Sequence, residues 1–381
     1  MGNSYDIWLS AAVGTVSHIN HLLERFGDAE GVFRAREKDI TEDEILSSNE
    51  KGFLTSPEKE ENRSSRYDYV CRNDIRMICR HEKDYPKRFG CLDDPPYGIF
   101  VQGKLPPPEV PAIAVVGSRR ASTYGENVTE QFAGELAAAG IIIVSGLAMG
   151  IDGISHRAAL ENGGFTVGVL GSGIGVPYPK ENWKLYQQMR EKGCVLSEHG
   201  PGVPPMKHNF PHRNRLISAL ADGILVVEAA ERSGTLITVD RGLEQGKDIF
   251  AVPGRIGDRN SEGCLNLIRQ GAFLVTKPEQ IIAELASNFP SVKKNCGAFQ
   301  QLSLNFSNDF DEFNENSENL ILGIARDEKV VYDLCRLDAR HFDELLSQSG
   351  LTVARLSEVL YSLQQKGIVR QAIPNYYSRK G

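Results

Sequence analysis

The chain has 381 residues, 41% of them hydrophobic and 24% charged, which is too much for one ordinary domain and enough for two or three with buried cores. Its formal net charge of −7 excludes an overall basic field, so any site for nucleic acid must be a local concentration of cations. Seven cysteines (71, 79, 91, 194, 264, 296, 335) are odd in number and never spaced C-x2-C, which fits neither a disulfide framework nor a zinc ribbon and reads as reduced thiols.

The start, MGNSYDIWLSAAVG, lacks the basic region of a signal peptide, and Asp6 stands where a myristoylation signal needs Ser or Thr. No run of about eighteen apolar residues is present to cross a bilayer, so a cytoplasmic protein without membrane attachment is expected. Residues 1–40 carry helical spacing (Ile7, Leu9, Ile19, Leu22, Leu23, Phe26) punctuated by Gly14 and Gly27. A small helical packing domain is expected over 1–80, akin to SAM or helix-hairpin-helix modules but without the glycine-hydrophobic-glycine signature that binds phosphate. Its polar stretch 41–66 reads as a helix followed by a flexible loop. From Arg76 to Pro111, strand-like pieces alternate with the proline clusters Pro95–Pro96 and Pro106–Pro108, which block helix and lack ladder donors, so residues 81–110 read as a strap into the next domain.

From Ala112 the pattern changes to short β-branched runs at 112–116, 141–145, 166–170, 195–198, 223–228, 248–252 and 273–275. Helical stretches are expected between them at 124–139, 153–161, 181–192, 214–221, 235–245 and 263–270. Apolar strands alternating with helices predict an α/β, doubly wound Rossmann-like domain with a mainly parallel sheet over 111–290. An Asn-, Ser- and acid-rich linker over 291–320 follows. Over 321–381, two helices, a turn at Gly350, a third helix and a terminal hairpin predict a winged-helix domain. Thr352–Gly367 contains only Arg355 and Lys366 as cations, so protein contact, packing and DNA contact all remain open for it.

Ligands of open parallel sheets bind outside the carboxyl ends of the strands, where the loops here are rich in Gly, Ser and Thr. Gly117-Ser118-Arg119-Arg120, Ser145-Gly146 through Asp152, Gly171-Ser172-Gly173, Ser197–Gly200 and Glu228–Thr235 together predict a phosphate-binding rim. G-x-G-x-x-G is absent after the first strand, no G-x-x-x-x-G-K-[ST] occurs, and Gly171-x-Gly173 meets Val176 at the third glycine position, so no nucleotide cofactor is expected. Ser233-Gly234-Thr235 resembles the end of the P-G-G-x-G-T-x-x-E motif of cytokinin-activating phosphoribohydrolases. Thr238 stands at the glutamate position and can act neither as a carboxylate base nor as an oxocarbenium stabiliser. Asp152, Glu198 and Glu228 fall near the same edge without compact metal spacing. Asp152 is expected to cap the helix that follows, and the glutamates to bind loop N–H groups or offset arginines. His208 and His212 are four apart, but Pro211 is expected to break the helix that would align them, so no metal is expected.

Lys207–Leu220, KHNFPHRNRLISAL, concentrates five cationic or imidazole side chains and an aromatic just as a helix begins. Taken alone, the stretch fits a nucleic-acid contact or a helix start with a solvated basic face. GSRR at 117–120, SGLAMGID at 145–152, His156, GSGIGVPYPKEN at 171–182, SEHG at 197–200, FPHRNRLISAL at 210–220, VVEAAERSGTLIT at 226–238 and AVPG at 251–254 occur in that order. In these the chain resembles the DNA-processing protein A (DprA, Smf) family, with looser agreement at both ends.

The resemblance implies a non-enzymatic, sequence-independent binder of single-stranded DNA taken up in natural transformation. It further implies protection of the strand, displacement of single-strand-binding protein, loading of the RecA recombinase, and a homodimer formed through the Rossmann-like domain. By motif, Gly117, Ser118 and Arg119 hold phosphate, Ser145 and Gly146 line the pocket, Lys180, Lys207, Arg213 and Arg215 supply charge beside Asn214, and Phe210 is a stacking platform. Two departures stand out: SAL at 218–220 replaces small-Gly-Leu, and the acidic linker is long.

Overall fold

The amino-terminal helices are α1 (Ser4–Ala12), α2 (Val16–Phe26), α3 (Ala29–Arg34), α4 (Glu37–Thr41), α5 (Ser48–Leu54) and α6 (Lys59–Arg72). They bury an apolar stripe containing Ile7, Trp8, Ile19 and Leu22. The computed structural model describes residues 2–176, 178–289, 326–336 and 338–379, so the expected linker lies outside the described residues.

The central sheet has nine strands: β1 (Arg76–Cys79), β2 (Gly98–Gly103), β3 (Ala112–Val116), β4 (Ile142–Ser145), β5 (Thr166–Val169), β6 (Cys194–Ser197), β7 (Gly223–Val226), β8 (Asp248–Ala251) and β9 (Phe273–Leu274). Their order is β1-β2-β6-β5-β4-β3-β7-β8-β9. From β6 to β9 every pairing is parallel. Every residue of β3 is buried, as a strand covered on both faces requires. Ala112, Ala114 and Val116 pack to one side of the sheet with Leu216 and Val239, and Ile113 and Val115 to the other with Phe132 and Ile151. The covering helices are α7 (Thr123–Ala138), α8 (Ile151–Glu161), α9 (Trp183–Lys192), α10 (Asn209–Leu220), α11 (Gly234–Glu244), α12 (Glu262–Arg269) and α13 (Pro278–Asn288). The doubly wound α/β architecture is therefore present.

Three local expectations are corrected. The strap at 81–110 contains β2, which pairs antiparallel with β6, while β1 from the expected helical segment pairs with β2, so the sheet starts at Arg76 rather than after 110. The prolines at 95–96 and 106–108 flank β2. Met77, Tyr97 and Phe100 then join Trp8 and Leu22 to Leu170, Tyr186 and Met189 in one continuous core, so residue 80 is no packing boundary. Tyr97 Oη donates to Asp6 Oδ1 at 2.5 Å, and Asp6 closes a capping box with Asn3 at the start of α1. Finally, Pro211 does not break α10. It sits in the first turn, where a backbone N–H would lack a helical partner, so α10 begins at Asn209, ahead of the expected 214.

The carboxyl-terminal helices α14 (Arg326–Leu334), α15 (Phe342–Ser349) and α16 (Val353–Gln365) enclose their own core of Val331, Leu345, Leu356 and Leu360. Strands β10 (Arg340–His341), β11 (Val369–Ile373) and β12 (Tyr376–Arg379) form a small antiparallel sheet in the order β10-β12-β11. Gly350 ends α15 with φ of 67°, a left-handed position that glycine takes at little cost. This is the expected winged-helix arrangement. Arg370 reaches Glu126 of α7 at 3.3 Å.

On α8, His156 is completely buried, with Nδ1 2.6 Å from Thr166 Oγ1. The single Thr166 hydroxyl proton goes to Ile143 O at 2.8 Å, so Nδ1 carries the imidazole proton and Nε2 is left without a partner. Burial, reinforced by Arg213 and Arg157, pushes its pKa from 6.5 down to about 3. Between those values the unfolded chain binds the extra proton. Stability is therefore full above about pH 6.5 and falls as pH drops, by about 2 kcal/mol between pH 7 and 5, above the carboxylate range. Urea unfolding at both pH values should show this loss, and His156→Asn should remove most of it; an unchanged pH difference in the variant would assign the acid sensitivity elsewhere.

Candidate functional site

A cavity of about 900 Å³ opens at the carboxyl ends of the parallel strands. Its walls are the loop after β3 (Gly117–Arg120), the start of α8, Tyr178, the first two turns of α10, the loop from β7 into α11, and Arg259–Asn260 after β8. Six cations line it (Arg119, Arg120, Lys207, Arg213, Arg232, Arg259) against one carboxylate, Asp152. The exposed five form no ion pair with a described carboxylate, which leaves their charge available to an anion.

The α11 amino terminus adds peptide N–H groups. Ser233 caps it by accepting the Thr235 N–H, and the Thr235 hydroxyl donates to Gly117 O at 3.1 Å, tying α11 to the β3 loop. A Cβ added at Gly234 would meet nothing within 4 Å, so this terminus is open toward the cavity it lines.

Phe210, half-buried in the first turn of α10, forms the aromatic wall. Its ring centroid is 5.5 Å from that of Tyr178, and the Arg119 guanidinium lies 5.8 Å from its centre. Gly171 makes room for it, since a Cβ there would stand 2.8 Å from Phe210 Cδ1.

Arg213 and Arg215 are two residues apart on a helix and point to nearly opposite sides. Arg213 is buried at the cavity floor. Its Nη1 donates to Gly146 O at 2.8 Å and to Val169 O, and its guanidinium faces Asp152, which accepts the Gly146 N–H at 3.1 Å. Burial lowers the Arg213 pKa to about 10 with Asp152 opposing the shift, and burial raises the Asp152 carboxyl against Arg213 and the Ala148 N–H. Asp152 thus caps the 146–148 loop, whereas the expected helix cap falls to Gly150, which makes no side-chain bond. Arg215 lies outside the cavity, with Nη2 2.8 Å from each Glu198 oxygen and Nε 3.5 Å from Asp94. Burial alone would raise Glu198; the His212 hydrogen bond and Arg215 outweigh it and hold the carboxyl below its ordinary value. Glu228 accepts the Ser122 N–H at 3.0 Å and anchors the start of α7.

Of the residues expected from sequence, Gly117, Ser118, Arg119, Lys207, Phe210, Arg213 and Asn214 line the cavity. Ser145 is buried with its hydroxyl on Val115 O, and Gly146 lies beneath Arg213, where a Cβ would meet Nη2 at 2.6 Å. Lys180 is exposed in the turn Lys180–Asn182, away from the lining. The expected glycine rim is corrected in part: Gly146, Gly171 and Gly173 are required by close packing, the last against Gly200 O. Sequence reasoning gave no individual role to Arg120, Tyr178, Arg232 and Arg259, which also line the cavity. Arg120, Tyr178 and Arg232 lay inside quoted motifs, the first and third also in loops of the expected rim, and nothing in the sequence marks Arg259.

The chain is 47% identical over 210 residues to Protein Smf of Escherichia coli, covering 55% of this chain and 56% of that one. It is 46% identical over 204 residues to DNA processing protein DprA of Streptococcus pneumoniae, covering 52% and 71%. The aligned region thus spans little more than half the length of the first of these curated relatives. Among solved structures, DNA processing protein A from Streptococcus pneumoniae matches with a TM-score of 0.62 at 35% identity, covering 74% of this chain and 98% of that one. DNA processing protein A from Helicobacter pylori, described for its single-stranded DNA binding mode, matches with a TM-score of 0.52 at 29% identity, covering 56% and 97%. The family model for DNA recombination-mediator protein A matches residues 76–286, more than half of the chain, and the chain belongs to that family.

Proposed function

We propose that this protein binds single-stranded DNA without sequence preference, at the cationic cavity, in the service of recombination. The observation that carries the reading is the Arg119, Phe210 and Tyr178 cluster inside a cavity with six cations and one carboxylate. Cations neutralise phosphates irrespective of sequence, and every base has a face to stack on an aromatic ring. A duplex hides those faces, so it binds less well. The described binding mode of the Helicobacter pylori relative supports the same ligand.

A binding rather than catalytic role is supported by Thr238, which lines the cavity where the phosphoribohydrolase motif has glutamate, and by Asp152, whose carboxylate is committed to Gly146 and Arg213. Kinship with the DNA processing proteins supports the finer reading: a cytoplasmic protein that protects incoming strands in natural transformation and loads RecA, with single-strand-binding protein as a further partner. Homodimerisation is supported by β9, an edge strand whose Phe273 and Leu274 are 46% and 49% exposed.

Fluorescence anisotropy of a labelled oligonucleotide across a salt series tests the reading. Arg119→Ala and Lys207→Ala should each weaken binding and reduce the salt slope by about 1. Phe210→Ala should cost about 1–3 kcal/mol with the slope kept. Unchanged affinity in all three variants would sink the proposal. Arg213→Ala should behave differently, lowering folding stability by about 3–5 kcal/mol in thermal melts because it leaves Asp152 buried without its partner.

A further inference from the structure

Lys180 was expected at the ligand and does not line the cavity, and beside it stands an aromatic that the cavity does not use. Trp183, the first residue of α9, is 47% exposed, whereas the other tryptophan of the chain, Trp8, is fully buried. One face of the Trp183 ring lies parallel to Tyr186, with centroids 5.7 Å apart and planes within 7°. Tyr186 is itself 1% exposed and locked: its hydroxyl donates to Gln102 Oε1 at 2.6 Å and accepts the Gly175 N–H at 2.9 Å. The indole thus rests, offset, on a rigid support with about half of its surface exposed. A base could stack there without ordering a mobile side chain first, which removes part of the entropic cost of binding.

The position is tied to the cavity wall through the chain. Tyr178, whose ring contacts Phe210, is five residues before Trp183, so their backbones are separated by no more than roughly 18 Å. The turn Lys180–Asn182 fills that interval, and Asn182 donates to Leu147 O and Ala148 O, fixing it to the loop after β4. Lys180 and Lys184 flank Trp183 in the sequence and are exposed, as is Glu181 between them. Exposed aromatic surface near exposed cations, within chain reach of the cavity wall, suits a strand that continues past the cavity.

Resting on the reading of the cavity given above, we infer that Trp183 is a second base-stacking subsite, served by the phosphate-binding cations Lys180 and Lys184, for the length of single strand that leaves the cavity past Tyr178.

The test uses the full chain and oligothymidylates of about 4 and about 16 nucleotides, the ends of the range that single-strand modules cover. Because Trp8 is buried, quenching of the exposed indole reports the base directly on the unmodified protein, whatever the stability of any variant. The longer oligonucleotide should quench Trp183 emission as anisotropy rises. Trp183→Ala should weaken the longer one by about 5- to 150-fold and leave the shorter one unchanged, with Trp183→Phe between the two. Anisotropy that rises for the longer strand without quenching, and with equal affinity in Trp183→Ala, overturns the subsite while leaving the cavity reading intact. No anisotropy change at either length overturns the cavity reading and this subsite with it.

Discussion

The buried Arg213 guanidinium is the constraint on which the ligand edge depends. By donating to Gly146 O at the end of β4 and to Val169 O at the end of β5 while facing Asp152, it ties α10 to two strand ends and to the start of α8. A charge buried at this depth is tolerable only with its hydrogen-bond partners in place, so the loop at 146–152 and the angle of α10 are fixed together. Gly146 has to be glycine because the arginine occupies the space of its side chain. One turn earlier on the same helix face stands Phe210, and one turn later Ile217, so the aromatic wall inherits its position from the arginine.

The remaining cations are arranged on a different principle. Arg119, Arg120, Arg232 and Arg259 sit on loops, and Lys207 just before α10, all on long exposed side chains. In a chain of net charge −7, such a cluster gives a short-range field that decays over about 8 Å at physiological salt, so attraction is confined to the cavity mouth. The acidic average keeps the rest of the surface from holding nucleic acid indiscriminately. Concentration of charge, rather than total charge, is what the fold supplies.

Much of this was legible in the sequence. Runs such as AIAVV separated by helical stretches marked the parallel sheet, because strands buried on both faces need unbroken apolar residues. The loops at the strand ends marked the ligand edge for the topological reason common to open α/β sheets. Strand-like pieces beside the prolines were visible, but no local pattern shows that β1 and β2 extend the sheet antiparallel from β6. Arg213 and Arg215 share a motif, yet a helix sends residues two apart to opposite sides. That separation makes Arg215 a partner of Glu198 beyond the cavity. Arg259 reaches the site only through folding of the loop after β8, which no local pattern encodes.

The division between a buried arginine that sets geometry and loop cations that meet the ligand bears on what kind of ligand suits the cavity. Reading a base sequence takes rigid, paired donors and acceptors held against base edges. Here the side-chain amides in the wall are Asn214, which accepts from Arg213 Nε at 3.3 Å, and Asn260, which donates to Arg120 O at 3.1 Å, so both have bonds within the protein. What stays free is charge on flexible stems and aromatic faces, neither of which distinguishes one base from another. Flexible stems also follow a backbone that has no fixed helical shape. The features that make the wall indifferent to sequence therefore also favour a single strand over a duplex, whose phosphates are fixed on a rod and whose base faces are covered.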